Sequence, residues 1–248
     1  YGNELFVTDG NSGTILTSPD GNSWTKRTSG TSKYLRGVTY GNELFVTVGF
    51  FGTILTSPDG ITWTERTSGI FRNLSGVTSG NGLFVTVGWN GTILTSSDGI
   101  TWTERTSGTP IDLYGVTSGN GLFVTVGESG TILTSPDGIT WTERTSGTSN
   151  TLSGVTYGNG LFVTVGYSIS SSSTSTSDNS TPTITTEKST TTLTSSDGVT
   201  WTLRDSGTSN ELRGSITYGN GLFVTVGYLG TFLTSSDGIS WTSRTSGT

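Results

Sequence analysis

Three groups of side chains in this chain are of types that do chemistry or bind. The first is a scatter of carboxylates: Asp112, Glu128, Glu211, Asp178 and Glu187. Glycoside hydrolysis needs two carboxyl groups roughly 5 to 9 Å apart, but no two of these sit in a recognisable motif. The second group is Arg36, Arg72 and Arg213, the arginines that do not recur at a fixed interval. The third is a set of large aromatics in short connecting segments: Tyr34, Phe50, Phe51, Trp89, Tyr114, Tyr167 and Tyr228, with Asn90 beside Trp89. Burial is not guaranteed at such positions. Aromatics exposed next to Arg and Asn suit a sugar, a peptide or another subunit. The chain has no His and no Cys. The usual zinc and iron ligand sets are therefore impossible, and the common nucleophilic devices are missing. The expectation is no catalytic residue, no metal and no cofactor.

The elements that position these residues come from a repeat. The pattern Ser-[Pro/Ser]-Asp-Gly-x-[Thr/Ser]-Trp occurs six times, ending at Trp24, Trp63, Trp102, Trp141, Trp201 and Trp241, with spacings of 39, 39, 39, 60 and 40 residues. One unit, Leu35 to Gly69, holds four short runs rich in β-branched and aromatic residues: LRGVTY, ELFVTVG, GTILTS and TWTERT. Gly-Asn and Asp-Gly turn signals separate them, and nothing has helical periodicity. Four strands in a unit of this size, repeated six times, predict an all-β, six-bladed β-propeller of four-stranded antiparallel blades. The expected blades are about 1–28, 35–67, 74–106, 113–145, 152–205 and 212–245 in a single domain.

Ser57-Pro58-Asp59-Gly60-Ile61-Thr62-Trp63 and its five counterparts resemble the Asp-box, or BNR repeat, of sialidases, sortilin-like receptors and photosystem II assembly factors. The resemblance covers the whole chain. It implies that Asp20, Asp59, Asp98, Asp137, Asp197 and Asp237 tie down backbone N–H groups in a turn between the third and fourth strands, as Asx turns do. It also implies that Trp24, Trp63, Trp102, Trp141, Trp201 and Trp241 bury between blades. Equal use in every blade argues against a metal or catalytic role for these aspartates. Sialidases further use an arginine cluster, a Tyr–Glu nucleophile pair and an acidic general acid. Here Arg27, Arg66, Arg105, Arg144, Arg204 and Arg244 lie in the repeated outer strand, spread round the rim. A sialidase-like glycoside hydrolase is the least favoured reading.

Comparing the copies divides the molecule into two faces. The Gly-Asn turn between strands one and two and the Asp-Gly turn between strands three and four barely vary, and both fall on one face. The outer-to-inner connection, the residue after the first-strand Leu, and the turn between strands two and three differ in each blade and fall on the other. A repeat array keeps residues where blades pack and diverges where it binds. The expected contacts are therefore the aromatics and arginines named above, with Asn90 and Glu128. The fifth blade carries a low-complexity Ser/Thr-rich insertion at 168–190, expected to be a mobile loop. Asn73, Asn90 and Asn179 head N-x-S/T sequons on the variable face. Inner strands number five against six of every other type, so blade one is expected to lack its inner strand. That gap is to be filled by a longer chain or by a neighbour's strand.

A net charge of −6 and a pI near 4.6 argue against nucleic acid. No apolar run is long enough for a transmembrane helix. The chain opens on Tyr1 without a leader-like segment, so something upstream is expected to be missing. The leading expectation is a secreted or surface-displayed, non-enzymatic propeller that binds a glycan or protein through its variable face. The alternative is a structural subunit of a surface filament or virion, self-associating through its incomplete blade.

Overall fold

Two-residue turns decide the register of every blade. In the computed structural model, which describes residues 1–174 and 183–245 (backbone alone at 169–174 and 183–188), Gly41 pairs directly with Leu44. The intervening Asn42 and Glu43 have φ of 45° and 60°. Two consecutive positive φ values make the turn whose twist matches that of the strands it joins. Blades three to six place Asn-Gly there, as at Asn81-Gly82.

From that turn each blade adds strands in chain order. Blade two runs Leu35–Gly41, Leu44–Gly49, Ile54–Ser57 and Thr64–Arg66, all antiparallel. Blades three to six are also four-stranded. Blade one has three strands, Phe6–Asp9, Ile15–Ser18 and Thr25–Arg27. Its inner strand is reduced to Tyr1-Gly2. Gly2 makes one bridge to Leu5, and Tyr1 stacks on Phe6 at 4.6 Å, as Tyr40 does on Phe45. The molecule is thus a six-bladed β-propeller whose first blade is incomplete. Among the described residues no helix is long and apolar enough to cross a membrane.

The core lies in the seams between blades. Val46, Val48 and Ile54 of blade two pack against Leu74, Phe84 and Leu94 of blade three. Val85, Val87 and Ile93 then pack against Leu113, Phe123 and Leu133, and the pattern continues to blade six. Alternation puts one side of each strand in one seam and the other side in the next. The second strand therefore reads as a nearly continuous apolar run.

Three features depart from expectation. The tryptophans of the turns are half-buried rather than buried, and Trp24 is exposed. Each lies over its own turn, as when Trp102 Nε1 donates to the Gly99 carbonyl at 3.1 Å, and packs on the seam from outside. The deeply buried aromatics are Phe45, Phe84, Phe123, Phe162 and Phe223 of the second strand. The blade-five insertion does not begin as a loop. Its strands extend to Leu161–Thr174 and Thr183–Ser195 and pair from Ser168↔Ser189 to Thr174↔Thr183. The ladder below holds the extension in register, and its Ser, Thr and Ile residues continue it. The rest of the insertion, including Asn179 and Asp178, lies outside the described residues. Finally, the inner strand of blade six is only Ile216–Gly219. Ser215 is an extra residue relative to Leu35-Arg36-Gly37-Val38, which accounts for the 40-residue spacing there.

Candidate binding face

A β-bulge aims the most variable side chains. In blades two to five the inner strand pairs regularly except for one slip, between Leu35 and Gly37, Leu74 and Gly76, Leu113 and Gly115, and Leu152 and Gly154. The skipped residues are Arg36, Ser75, Tyr114 and Ser153. A bulge leaves one residue out of the ladder and re-aims its side chain. These four, with Arg213 and Ser215 of blade six, line a depression of about 610 Å³ at the mouth of the channel. Trp89 reaches it from the turn between strands two and three of blade three, and Tyr167 from the extended second strand of blade five.

The mouth is built of paired cations and rings. The Arg36 guanidinium lies 4.7 Å from the centre of the Phe50 ring, and that of Arg213 lies 4.6 Å from Tyr167. Such contacts fix an arginine without neutralising it. Phe50 also meets Tyr34 at 5.4 Å and Trp89 at 6.0 Å, making an aromatic run across blades two and three. Arg213 pairs in addition with Glu211, whose side chain is buried. The Tyr114 hydroxyl donates to Glu128 at 2.5 Å. Burial and then that carboxylate push the Tyr114 phenol well above its usual range.

The remaining expected contacts lie outside this mouth. Arg72 donates to Thr92 at 2.7 Å and pairs with Glu104 of the next blade. Phe51, 60% exposed, borders a shallow groove with Lys33, Arg66 and Phe71. Asn90 and Tyr228 are exposed. Asn73, though half-buried, accepts the Phe51 N–H through Oδ1 at 3.0 Å. Phe51 and Leu229 occupy the left-handed region, at φ of 57° and 55°, where blade three has Asn90. A bulky residue there is a backbone outlier. Both are well exposed, so packing does not compensate them.

The opposite face is uniform. In every blade the turn aspartate Oδ1 accepts two backbone N–H groups at 2.8 Å, for Asp98 those of Ile100 and Thr101. A serine hydroxyl two residues earlier adds a third bond at 2.9 Å. These bonds to the charged form hold Asp98, Asp197 and Asp237 down to about 2. Asn42 Nδ2 ties the two turn types together across a seam, donating to the carbonyls of Gly82 and Ser97. The outer-strand arginines each donate to a threonine of their own blade, as Arg66 Nε does to Thr56 at 2.8 Å.

One residue escaped the sequence reading and one candidate carboxylate has a local role. Asp9 stands where the other blades have Val48, Val87, Val126, Val165 and Val226. It accepts the Thr47 hydroxyl at 2.5 Å, whereas Thr86, Thr125 and Thr164 donate to a glycine carbonyl. Asp112 Oδ1 accepts the Asn90 N–H at 2.8 Å and so ties down the turn of the preceding blade. The Asp9 signal was visible as a charged break in an apolar run. The Asp112 contact crosses from one blade to the next and has no local signature.

No family model and no curated relative matches the chain by sequence. Solved structures match in shape. YCF48 bound to a D1 peptide aligns with a TM-score of 0.66 and 16% identity, covering 96% of this chain and 76% of that one. YCF48 from Cyanidioschyzon merolae gives 0.64 and 16%, with coverages of 97% and 81%. A nidogen/laminin complex gives 0.67 and 10%, with coverages of 93% and 88%. At such identities the likeness is one of fold, and the fold is a β-propeller.

Proposed function

We propose that this chain is a non-catalytic interaction propeller that captures a partner through the mouth of its variable face. The observation that carries the reading is the bulge. One skipped residue per inner strand delivers Arg36, Ser75, Tyr114 and Ser153 to a single depression, at the most varied inner-strand position among these blades. Rings and guanidinium groups held face to face make a surface that is apolar and charged at once, as hot spots for proteins commonly are. A protein segment is favoured over a glycan, because structures of similar fold include one with a peptide and one in a protein complex. Membership of the Asp-box group is part of the proposal, supported by the same three-bond aspartate in all six turns. So is surface display, supported by the sequons at Asn73 and Asn90 on this face.

The test is a peptide library and a glycan array probed with the purified protein, then with Arg36→Ser and Trp89→Ser. Both variants should lose the selected ligand at least tenfold, about 1.4 kcal/mol or more, with an unchanged melting temperature. Binding that survives both substitutions rejects the mouth as the site. A second reading is favoured by one contact. Tyr114 and Glu128 form a Tyr–Glu pair beside Arg36 and Arg213, two components a sialidase-like site requires. Burial and the carboxylate raise the phenol, which weakens it as a nucleophile. Turnover of sialosides that Glu128→Gln abolishes would establish this second reading in place of the first.

A further inference from the structure

Near its end the second strand of each blade turns one residue toward the following blade. In blades two to five it is Val48, Val87, Val126 and Val165, all fully buried. In blade one it is Asp9. The second strand of the following blade carries a threonine with a set task. Thr86, Thr125 and Thr164 donate to the carbonyls of Gly76, Gly115 and Gly154 at 2.8 Å. Each of these glycines comes directly after the skipped residue of its bulge. The bond therefore clamps the bulge to its own blade.

Blade two departs from this pattern. Thr47 donates to Asp9 of blade one at 2.5 Å, and the Gly37 N–H is also hydrogen-bonded to that carboxylate. The carbonyl of Gly10, the next residue, accepts the Leu35 N–H at 3.1 Å. Leu35 and Gly37 flank Arg36, the skipped residue of this bulge. On its other side Gly37 lies against blade three, where a Cβ would meet Gly76 Cα at 3.5 Å. Arg36 itself is exposed, so its aim depends on the strand that carries it and on the Phe50 ring. A carboxylate at this place has a cost. Burial disfavours its charge and raises it above the ordinary 3.8, where the other blades use Val. Such departures from a consistent pattern collect where a chain has a task.

We propose that Asp9 is a positioning residue for the mouth: with Gly10 it grips the inner strand of blade two on both sides of Arg36 and so sets the guanidinium over Phe50. Hydrogen bonds to an ionised acceptor are about twice as strong as neutral ones. The grip is tight while Asp9 is charged and loosens when acid protonates it. Of the charged groups on the segments packed against Asp9, Lys33 pairs with Glu65 at 3.6 Å and Arg36 lies over Phe50. The strands Ile15–Ser18 and Leu44–Gly49 carry none. Burial and hydrogen bonds therefore set its titration. The role rests on the mouth as the binding site, but the aim of Arg36 can be measured with no ligand present.

The test is nuclear magnetic resonance of the isotope-labelled chain in an acid titration, with Asp9 followed at its carboxyl carbon. The Gly37 amide and the Arg36 Nε–H should shift together with Asp9, at one midpoint above 3.8. Cross-relaxation between Arg36 Nε–H and the Phe50 ring should be strong above that midpoint and weak below it. Asp9→Asn keeps the size but stays neutral, so Arg36 should hold its acid-form signal at every pH. Asp9→Val should do the same while raising the melting temperature. Thr47→Val removes a bond to the charged form and should carry the midpoint upward. Gly37 and Arg36 signals that stay flat while Asp9 titrates overturn the proposal. So do Arg36 signals in Asp9→Asn that match the charged wild type, or a midpoint that Thr47→Val leaves in place. Should the Asp9 variants not fold, the wild-type titration decides alone. The mouth reading stands or fails separately, on the binding of Arg36→Ser.

Discussion

Each turn aspartate spends its charge on the chain itself. Asp98 accepts bonds from two backbone N–H groups and one hydroxyl, so its pKa falls from 3.8 to about 2. A group depressed on folding contributes stability above its unfolded value, and that contribution disappears as pH falls through the folded one. Acid should therefore weaken the propeller between 3.8 and about 2, with Asp98, Asp197 and Asp237 in concert. Asp9 behaves oppositely, because burial raises it from 3.8. Its sign is reversed. Stability is highest while it is protonated and declines as pH rises through its folded value. Asp9→Val, the residue of the other blades, should remove that decline and raise stability near neutral pH by about 1 kcal/mol. Urea midpoints of both proteins on either side of 3.8 check the sign. At the same scale, Phe84→Ala should cost about 3 to 5 kcal/mol as a fully buried ring. Half-buried Trp102→Ala should cost about half as much. Equal losses would mean the tryptophan is a seam residue after all.

Among the elements, the turns between strands two and three bear the strain. Phe51 and Leu229 hold positive φ with large exposed side chains. Replacement of each by Asn, which tolerates that conformation, should stabilise by up to about 1 kcal/mol. If Phe51 contacts a partner, Phe51→Asn should at the same time weaken binding. A melting curve and a titration on the same variant separate the two effects. A Phe51→Asn protein no more stable than wild type would mean the ring is held by contacts that offset the strain. The bulges are the complementary device: they leave the ladder intact on both sides while turning one side chain toward the channel.

For the whole molecule, stability is close to a sum over seams, since each blade touches only its neighbours. Interior blades sit between two seams and terminal blades on one. Amide exchange should therefore be fastest in blades one and six and slowest in blades three and four. Uniform protection round the ring would show that the two ends are joined.

The repeat itself determined the blade number, the strand order and the location of both turn types. Those are short-range properties: Asn-Gly, Asp-Gly and alternating β-branched residues act within a dozen positions, and six copies speak alike. The shortened inner strand of blade one was also legible, as a missing run. What the tertiary structure alone decided lies between blades. Burial of Phe84 rather than Trp102 follows from which side of the hairpin meets the preceding blade. The pairing of Tyr114 with Glu128 joins an inner strand to a turn of the same blade, and that of Arg213 with Tyr167 joins blade six to blade five. The gathering of Arg36, Tyr114 and Arg213 at one mouth joins different blades. The exposure of Leu222 and Val226 has no sequence signal, because both match their buried counterparts in type.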